Sequence, residues 1–152
     1  MTQLFLEPAR QRPKRRFIIG GAQYPEEFPW LPNIFFERHV SPSAHARFYA
    51  AARSTLNVTR AAMAAYGWCP SGRLFEAAAC ATPMLSDWWD GLDEFFVPDK
   101  EIIVVSTTDD VLKALELSDR ELAAIGAAAR ERALTEHSSD RRALELTRLL
   151  GR

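Results

Sequence analysis

An α/β architecture is what this sequence predicts: a parallel sheet flanked by helices. Three observations carry the prediction. Short apolar runs such as Phe17–Gly20 and the β-branched Ile102–Val105 have the composition of buried strands. They alternate with longer segments of helical spacing, such as 108–115 and 119–135. Strand–helix alternation in turn calls for right-handed crossovers between parallel strands. About five strands are expected in 152 residues, which suits one Rossmann-like unit around one core.

Taken in order, Leu4–Arg10 reads as the end of a helix, closed near Pro13. Phe17–Gly20 is a strand that stops at a Gly-Gly pair. Residues 22–33 hold Pro25, Pro29 and Pro32 and form a loop. Asn33–Phe36 is the next strand. Pro42–Ala52 has helical spacing, with Ser41 or Ser43 available as N-cap. Thr55–Val58 is a strand, Leu74–Cys80 a short helix and Met84–Ser86 the strand after it. Leu92–Phe96 has room for one helical turn, and Ile102–Val105 is the last strand. Thr108–Leu115 begins with two aspartates, which suits the positive end of a helix dipole. Asp119–Thr135 and Ser139–Leu150 complete the chain as helices.

Composition narrows the function classes. Apolar residues make up 47% and charged residues 26%, an ordinary balance for a globular domain. The formal net charge is -1, so no global field draws the chain to nucleic acid or anionic lipid. No apolar run is long enough to span a bilayer and no secretory signal is visible, so the cytoplasm is the default compartment. Cys69 and Cys80 lack zinc-type spacing; both are expected reduced, and no metal is expected. Arg10, Arg12, Lys14, Arg15 and Arg16 form a basic run, open to reading as an anion patch but better read as a solvated helix end.

The chemistry concentrates in residues 70–87. A small polar loop, Pro70-Ser71-Gly72, feeds an Ala-rich helix. Helix N-termini present unpaired N–H groups and a positive dipole end, a ready site for a phosphate. Glu76 stands about one turn further on, within reach of something polar beside such a phosphate. A ribose that carries a diphosphate has that layout. A carboxylate can accept two hydrogen bonds at once, which suits a vicinal diol; the plainer reading is that Glu76 stabilises its own helix turn. Gly72 permits close backbone approach, and Arg73 can fork onto phosphate oxygens or serve in an ordinary salt bridge. Arg60 follows a strand at the edge where open α/β sheets bind ligands, so it is a second phosphate candidate or a structural partner of Asp87 or Asp90.

The chain also resembles the donor-binding C-terminal half of GT-B glycosyltransferases, in particular the CgeB-like spore-maturation group. The likeness rests on Leu6-Glu7-Pro8-Ala9, the run 16–25, Leu56-Asn57-Val58-Thr59-Arg60, Arg73-Leu74-Phe75-Glu76-Ala77-Ala78-Ala79-Cys80, Ser86-Asp87-Trp88-Trp89-Asp90-Gly91-Leu92 and Phe95-Phe96. It implies hexosyl transfer from a nucleoside diphosphate sugar to an unknown acceptor. The implied roles are Glu76 on ribose, Ser71, Gly72 and Arg73 on diphosphate, and His39 and Val40 at the base. Asp87, Trp88 and Asp90 would face the sugar. The donor is a substrate rather than a cofactor, and no resident metal is implied.

Three departures from that family pattern matter. Helix-like sequence begins almost at Met1, so residues 1–152 are expected to be a single domain that lacks its first strand and the acceptor domain. Half a cleft can bind a nucleotide but should not turn over alone, and its exposed face could self-associate. Many relatives carry a second Glu eight positions before the ribose Glu; here Trp68 stands there. Ala81 replaces a usual Gly before Thr82-Pro83, at a cost of about 1 kcal/mol if the turn needs positive φ. The rival expectation is a non-catalytic nucleotide-binding or protein-interaction module. A flavodoxin-like receiver or cofactor domain is weaker, for want of an acidic pocket or a Gly-x-Gly-x-x-Gly run.

Overall fold

The computed structural model describes residues 1–22 and 24–151; Gln23, inside the predicted 22–33 loop, and Arg152 lie outside the described residues. A π-helical stretch, Thr2–Leu6, runs into α1 (Glu7–Gln11). Strands β1 (Phe17–Gly20) and β2 (Ile34–Glu37) pair in parallel, with Phe17 opposite Ile34. A 3-10 turn, Pro42–Ala44, leads into α2 (His45–Ala50), then β3 (Thr55–Asn57) and α3 (Ala61–Tyr66). Next come α4 (Gly72–Ala79), β4 (Met84–Ser86), α5 (Leu92–Phe95) and β5 (Ile103–Val104). Helices α6 (Thr108–Glu116), α7 (Asp119–Glu136) and α8 (Ser139–Leu149) end the chain.

All strands are parallel, as the alternation predicts, but they form two ladders rather than one sheet. One joins β1 to β2; the other has the order β3-β4-β5. Side chains bridge the two. Leu56 of β3 packs both against the Leu4, Leu85, Val105 cluster and against the Phe5, Ile19, Ile34 cluster. In parallel strands the C-terminal ends share one edge, the edge where open α/β sheets bind ligands.

The main core lies under α4. Leu74, Ala77 and Ala78 turn inward against Met84, Trp89, Leu92, Phe96, Ile102, Ala129 and Ala133. Small residues let α7 press close: a Cβ on Gly126 would stand 2.2 Å from the Ala81 carbonyl oxygen. Ala81 itself has φ 56°, the left-handed conformation that favours glycine. The other Ala-rich stretch behaves differently. Close core packing is expected of Ala61–Ala65; α3 has no fully buried residue, but Ala64 packs partly buried against the main core while Tyr66 is exposed.

Local signals set the helix ends. Capping boxes close α6 through Thr107 and Asp110 and α7 through Ser118 and Glu121. Hydrogen bonds from backbone and hydroxyl donors hold both carboxyls below the usual carboxylate range. The four arginines of the basic run are spent on internal pairing. Arg12 and Arg15 reach Glu116 at 3.2 and 3.5 Å, Arg10 pairs with Glu7, and Arg16 stacks 4.6 Å from the Phe35 ring centroid. No described helix is long and apolar enough to cross a membrane.

Candidate functional site

A cavity of about 390 Å³ opens at the C-terminal edge of β1 and β2, against the first turns of α4. Gly20 and Gly21 follow β1, His39 and Val40 follow β2, His45, Phe48 and Tyr49 come from α2, and Ser71, Gly72, Arg73 and Glu76 from α4. The sequence-predicted residues Glu76, Ser71, Gly72, Arg73, His39 and Val40 therefore share one wall system.

Each wall has a local cause. Ser71 is the N-cap of α4, and its hydroxyl accepts the Arg73 N–H at 3.4 Å. Gly72 occupies the first helical turn; a Cβ there would meet nothing within 4 Å, so the space in front of its backbone is open. At Gly20 the opposite holds. A Cβ would lie 2.9 Å from the Phe48 ring and 3.1 Å from Val40 Cγ2, so glycine lets α2 and the β2–α2 loop close over β1.

Helical spacing puts His45, Phe48 and Tyr49 on one face of α2. His45 Nε2 donates to the Val40 carbonyl at 3.1 Å, and its Nδ1 lies 3.2 Å from Glu76 Oε2. Tyr49 is buried, and burial together with the Glu76 carboxylate raises its phenol above the ordinary value, against the opposing pull of Arg73. At neutral pH it is an O–H donor. The cavity thus joins the positive end of a helix dipole, one guanidinium, one carboxylate, two imidazoles and one phenol.

The remaining candidates lie elsewhere. Arg60, Asp87, Trp88 and Asp90 do not line the cavity. Arg60 is the N-cap residue of α3 and takes no part in the ion pairs among the described residues, so it is paired with neither Asp87 nor Asp90. Asp87 is committed to a structural tie: it accepts the Thr59 N–H at 2.9 and 3.1 Å and the Thr59 hydroxyl at 2.9 Å, which locks the end of β4 to that of β3. The Asp90 carbonyl accepts the Trp68 N–H at 2.7 Å. Trp68 holds φ 43°, and its ring covers Gly91, where a Cβ would stand 2.6 Å from the indole. Trp88 is half-exposed, whereas Trp89 beside it is buried in the core.

Sequence reading missed Gly20, Gly21, His45, Phe48 and Tyr49 as cavity residues. The available signals were the Gly-Gly pair at a strand end and the i, i+3, i+4 spacing of the three ring residues. Among the described residues, no three His, Cys, Asp or Glu side chains converge as a metal set, and both cysteines are free.

Comparison with known proteins assigns the family. No curated protein sequence matches the chain. Among solved structures it is similar to the sucrose-phosphate synthase of Thermosynechococcus elongatus, with TM-score 0.62 and 20% identity over 78% of this chain and 29% of that one. It is similar to HepE of Anabaena, solved with UDP-glucose, with TM-score 0.65 and 12% identity over 96% of this chain and 52% of that one. A third likeness is to AviGT4, a glycosyltransferase of avilamycin A biosynthesis, with TM-score 0.61, 19% identity, and coverage of 88% and 41%. At these identities the likeness establishes the fold, one unit of a GT-B architecture. The chain spans about half or less of the length of each of these relatives. The family model described as glycosyl transferase-like matches residues 2–148, nearly the whole chain, and the chain belongs to that glycosyl transferase-like family.

Proposed function

We propose that this chain is the donor-binding domain of a CgeB-like glycosyltransferase, which moves a hexosyl group from a nucleoside diphosphate sugar to an acceptor. The single observation that carries the reading is the convergence of Ser71, Gly72, Arg73 and Glu76 with His39 and Val40 on one open cavity at the sheet's C-terminal edge. HepE, a structural neighbour, was solved with UDP-glucose, which supports a nucleotide sugar as ligand class.

In this reading the diphosphate sits at the N-terminus of α4. The positive end of the α4 dipole and the Arg73 guanidinium offset its charge and, later, the charge that develops on the departing nucleoside diphosphate. Glu76 accepts the ribose hydroxyls. The base lies towards His39 and Val40. The sugar extends past the cavity towards Trp88 and Asp90, while Asp87 contributes by holding the β3 and β4 ends together. A helix dipole and a guanidinium supply the positive charge, so the reading requires no resident metal. The acceptor-binding half of the cleft comes from a further domain, and this chain alone binds donor without turnover. Its compartment is the cytoplasm.

The test is calorimetric titration of wild type and Glu76→Gln with UDP, GDP and UDP-glucose. The expected result is binding of one nucleotide series by wild type and at least about tenfold weaker binding by the variant, the scale of one lost charge-assisted hydrogen bond. A folded wild type that binds none of them contradicts the donor-site reading and favours the interaction module.

A further inference from the structure

We infer that His45 is a positioning residue that aims Glu76 and thereby makes the cavity selective for nucleotides with an intact ribose diol. The inference rests on the donor-site reading above. A glutamate on an exposed helix turn has three rotatable bonds and no reason to hold one rotamer. Glu76 is half-exposed, with side-chain exposure of 49%. Its Oε2 lies 3.2 Å from His45 Nδ1, and Oε1 has no hydrogen-bond or ion-pair partner among the described residues. One oxygen is thus anchored while the other keeps its lone pairs for a ligand.

The anchor is itself fixed. His45 Nε2 lies 3.1 Å from the Val40 carbonyl, which can only accept, so that nitrogen carries a proton. The Glu76 carboxylate faces the other ring nitrogen, Nδ1, at 3.2 Å, so the ring stands between the Val40 carbonyl and Glu76. The edge of the ring meets Tyr49, with centroids 6.4 Å apart, and Tyr49 is buried in the core. A chain of contacts therefore runs from the core through Tyr49 and His45 to Glu76, and from the β2–α2 loop through Val40 to the same ring. Arg73 from α4 and His39 from that loop complete the polar groups on this wall.

This arrangement is a poor device for stability. Both side chains are more than a third exposed, and exposed ion pairs contribute little to folding. It is a good device for recognition, because a carboxylate held in one place loses less freedom when it takes up a ligand. The bonds it offers are to a vicinal diol. The effect of His45 should therefore appear as discrimination between ribose and deoxyribose, not as a uniform loss of affinity.

The experiment titrates wild type, His45→Ala and His45→Gln with UDP and GDP and with their 2′-deoxy counterparts dUDP and dGDP. Wild type is expected to prefer the ribo form of its nucleotide by about tenfold, one hydrogen bond to a charged group. In His45→Ala the preference should fall to about twofold while affinity for the deoxy form changes by less than about twofold. His45→Gln, which retains a donor, should fall between the two. Equal weakening of both forms with the preference retained would overturn the inference and make His45 a wall of the cavity only, as would no change at all. If wild type binds none of the four, the donor-site reading itself fails and the inference falls with it.

Discussion

The two faces of α4 have opposite characters although they alternate along the same eight residues. The inner face, Leu74, Ala77 and Ala78, is 1%, 0% and 0% exposed and forms the centre of the core. The outer face, Gly72, Arg73 and Glu76, borders open space and has few protein contacts. What the inner face does is settled by packing density, so small changes of volume there are costly. What the outer face does is settled by what enters the cavity, so the same changes there should leave the fold alone. One short helix thus provides both a rigid foundation and a replaceable surface.

The comparison breaks most sharply at Leu74. Leu74→Ala truncates the largest fully buried side chain of α4 and should destabilise the domain by about 2–5 kcal/mol, read by chemical denaturation. Gly126→Ala attacks the same face from α7. Its new methyl would meet the Ala81 carbonyl, a backbone atom that cannot swing aside. A loss of about 1–3 kcal/mol is expected, and a neutral result would mean that α4 and α7 can separate without penalty. Ala81→Gly has the opposite sign. It relieves the positive φ in the turn after α4 and should raise stability by about 0.5–1 kcal/mol, checked by the shift in denaturation midpoint. Gly72→Ala sharpens the contrast. A methyl there meets no protein atom within 4 Å, so stability should change by less than about 0.5 kcal/mol while nucleotide affinity falls, because the methyl occupies the space in front of the helix start.

Much of the fold was legible in the residues, for identifiable reasons. Phe17–Gly20 and Met84–Ser86 lie where their apolar runs predict, because buried parallel strands need little more than such a run with a break at each end. Ile102–Val105 shrinks to the ladder Ile103–Val104, the residues that stand in register opposite Leu85 and Ser86, with the Val105 N–H still reaching the Ser86 carbonyl at 2.9 Å. The predicted helix from Pro42 begins as a 3-10 turn and becomes α-helical only at His45. Helix α3 escaped prediction because an Ala-rich segment with no apolar period carries no face to read. The single sheet became two ladders because β1 and β3 meet through Leu56 and its neighbours, not through backbone hydrogen bonds.

The site was legible where chemistry is local and illegible where it is not. Ser71, Gly72, Arg73 and Glu76 are close in sequence, so a loop-to-helix pattern brings them together. His45 is far along the chain from Glu76, and no spacing rule connects two residues on different helices. The strand-edge rule pointed to Arg60, Asp87, Trp88 and Asp90, but the edge is wide and the cavity occupies only the portion between β1, β2 and α4. At Asp87 the sequence shows an acid at a strand end; only the fold shows that the Thr59 backbone and hydroxyl already claim it.

The most direct test of the account is a map of backbone amide shifts as the nucleotide that binds tightest in titration is added to the chain. The account predicts perturbations concentrated at Gly20, Gly21, His39, Val40 and residues 71–76, with Asp87 and Arg60 little changed. Perturbations centred on another surface, with the amides of residues 71–73 silent, would contradict it.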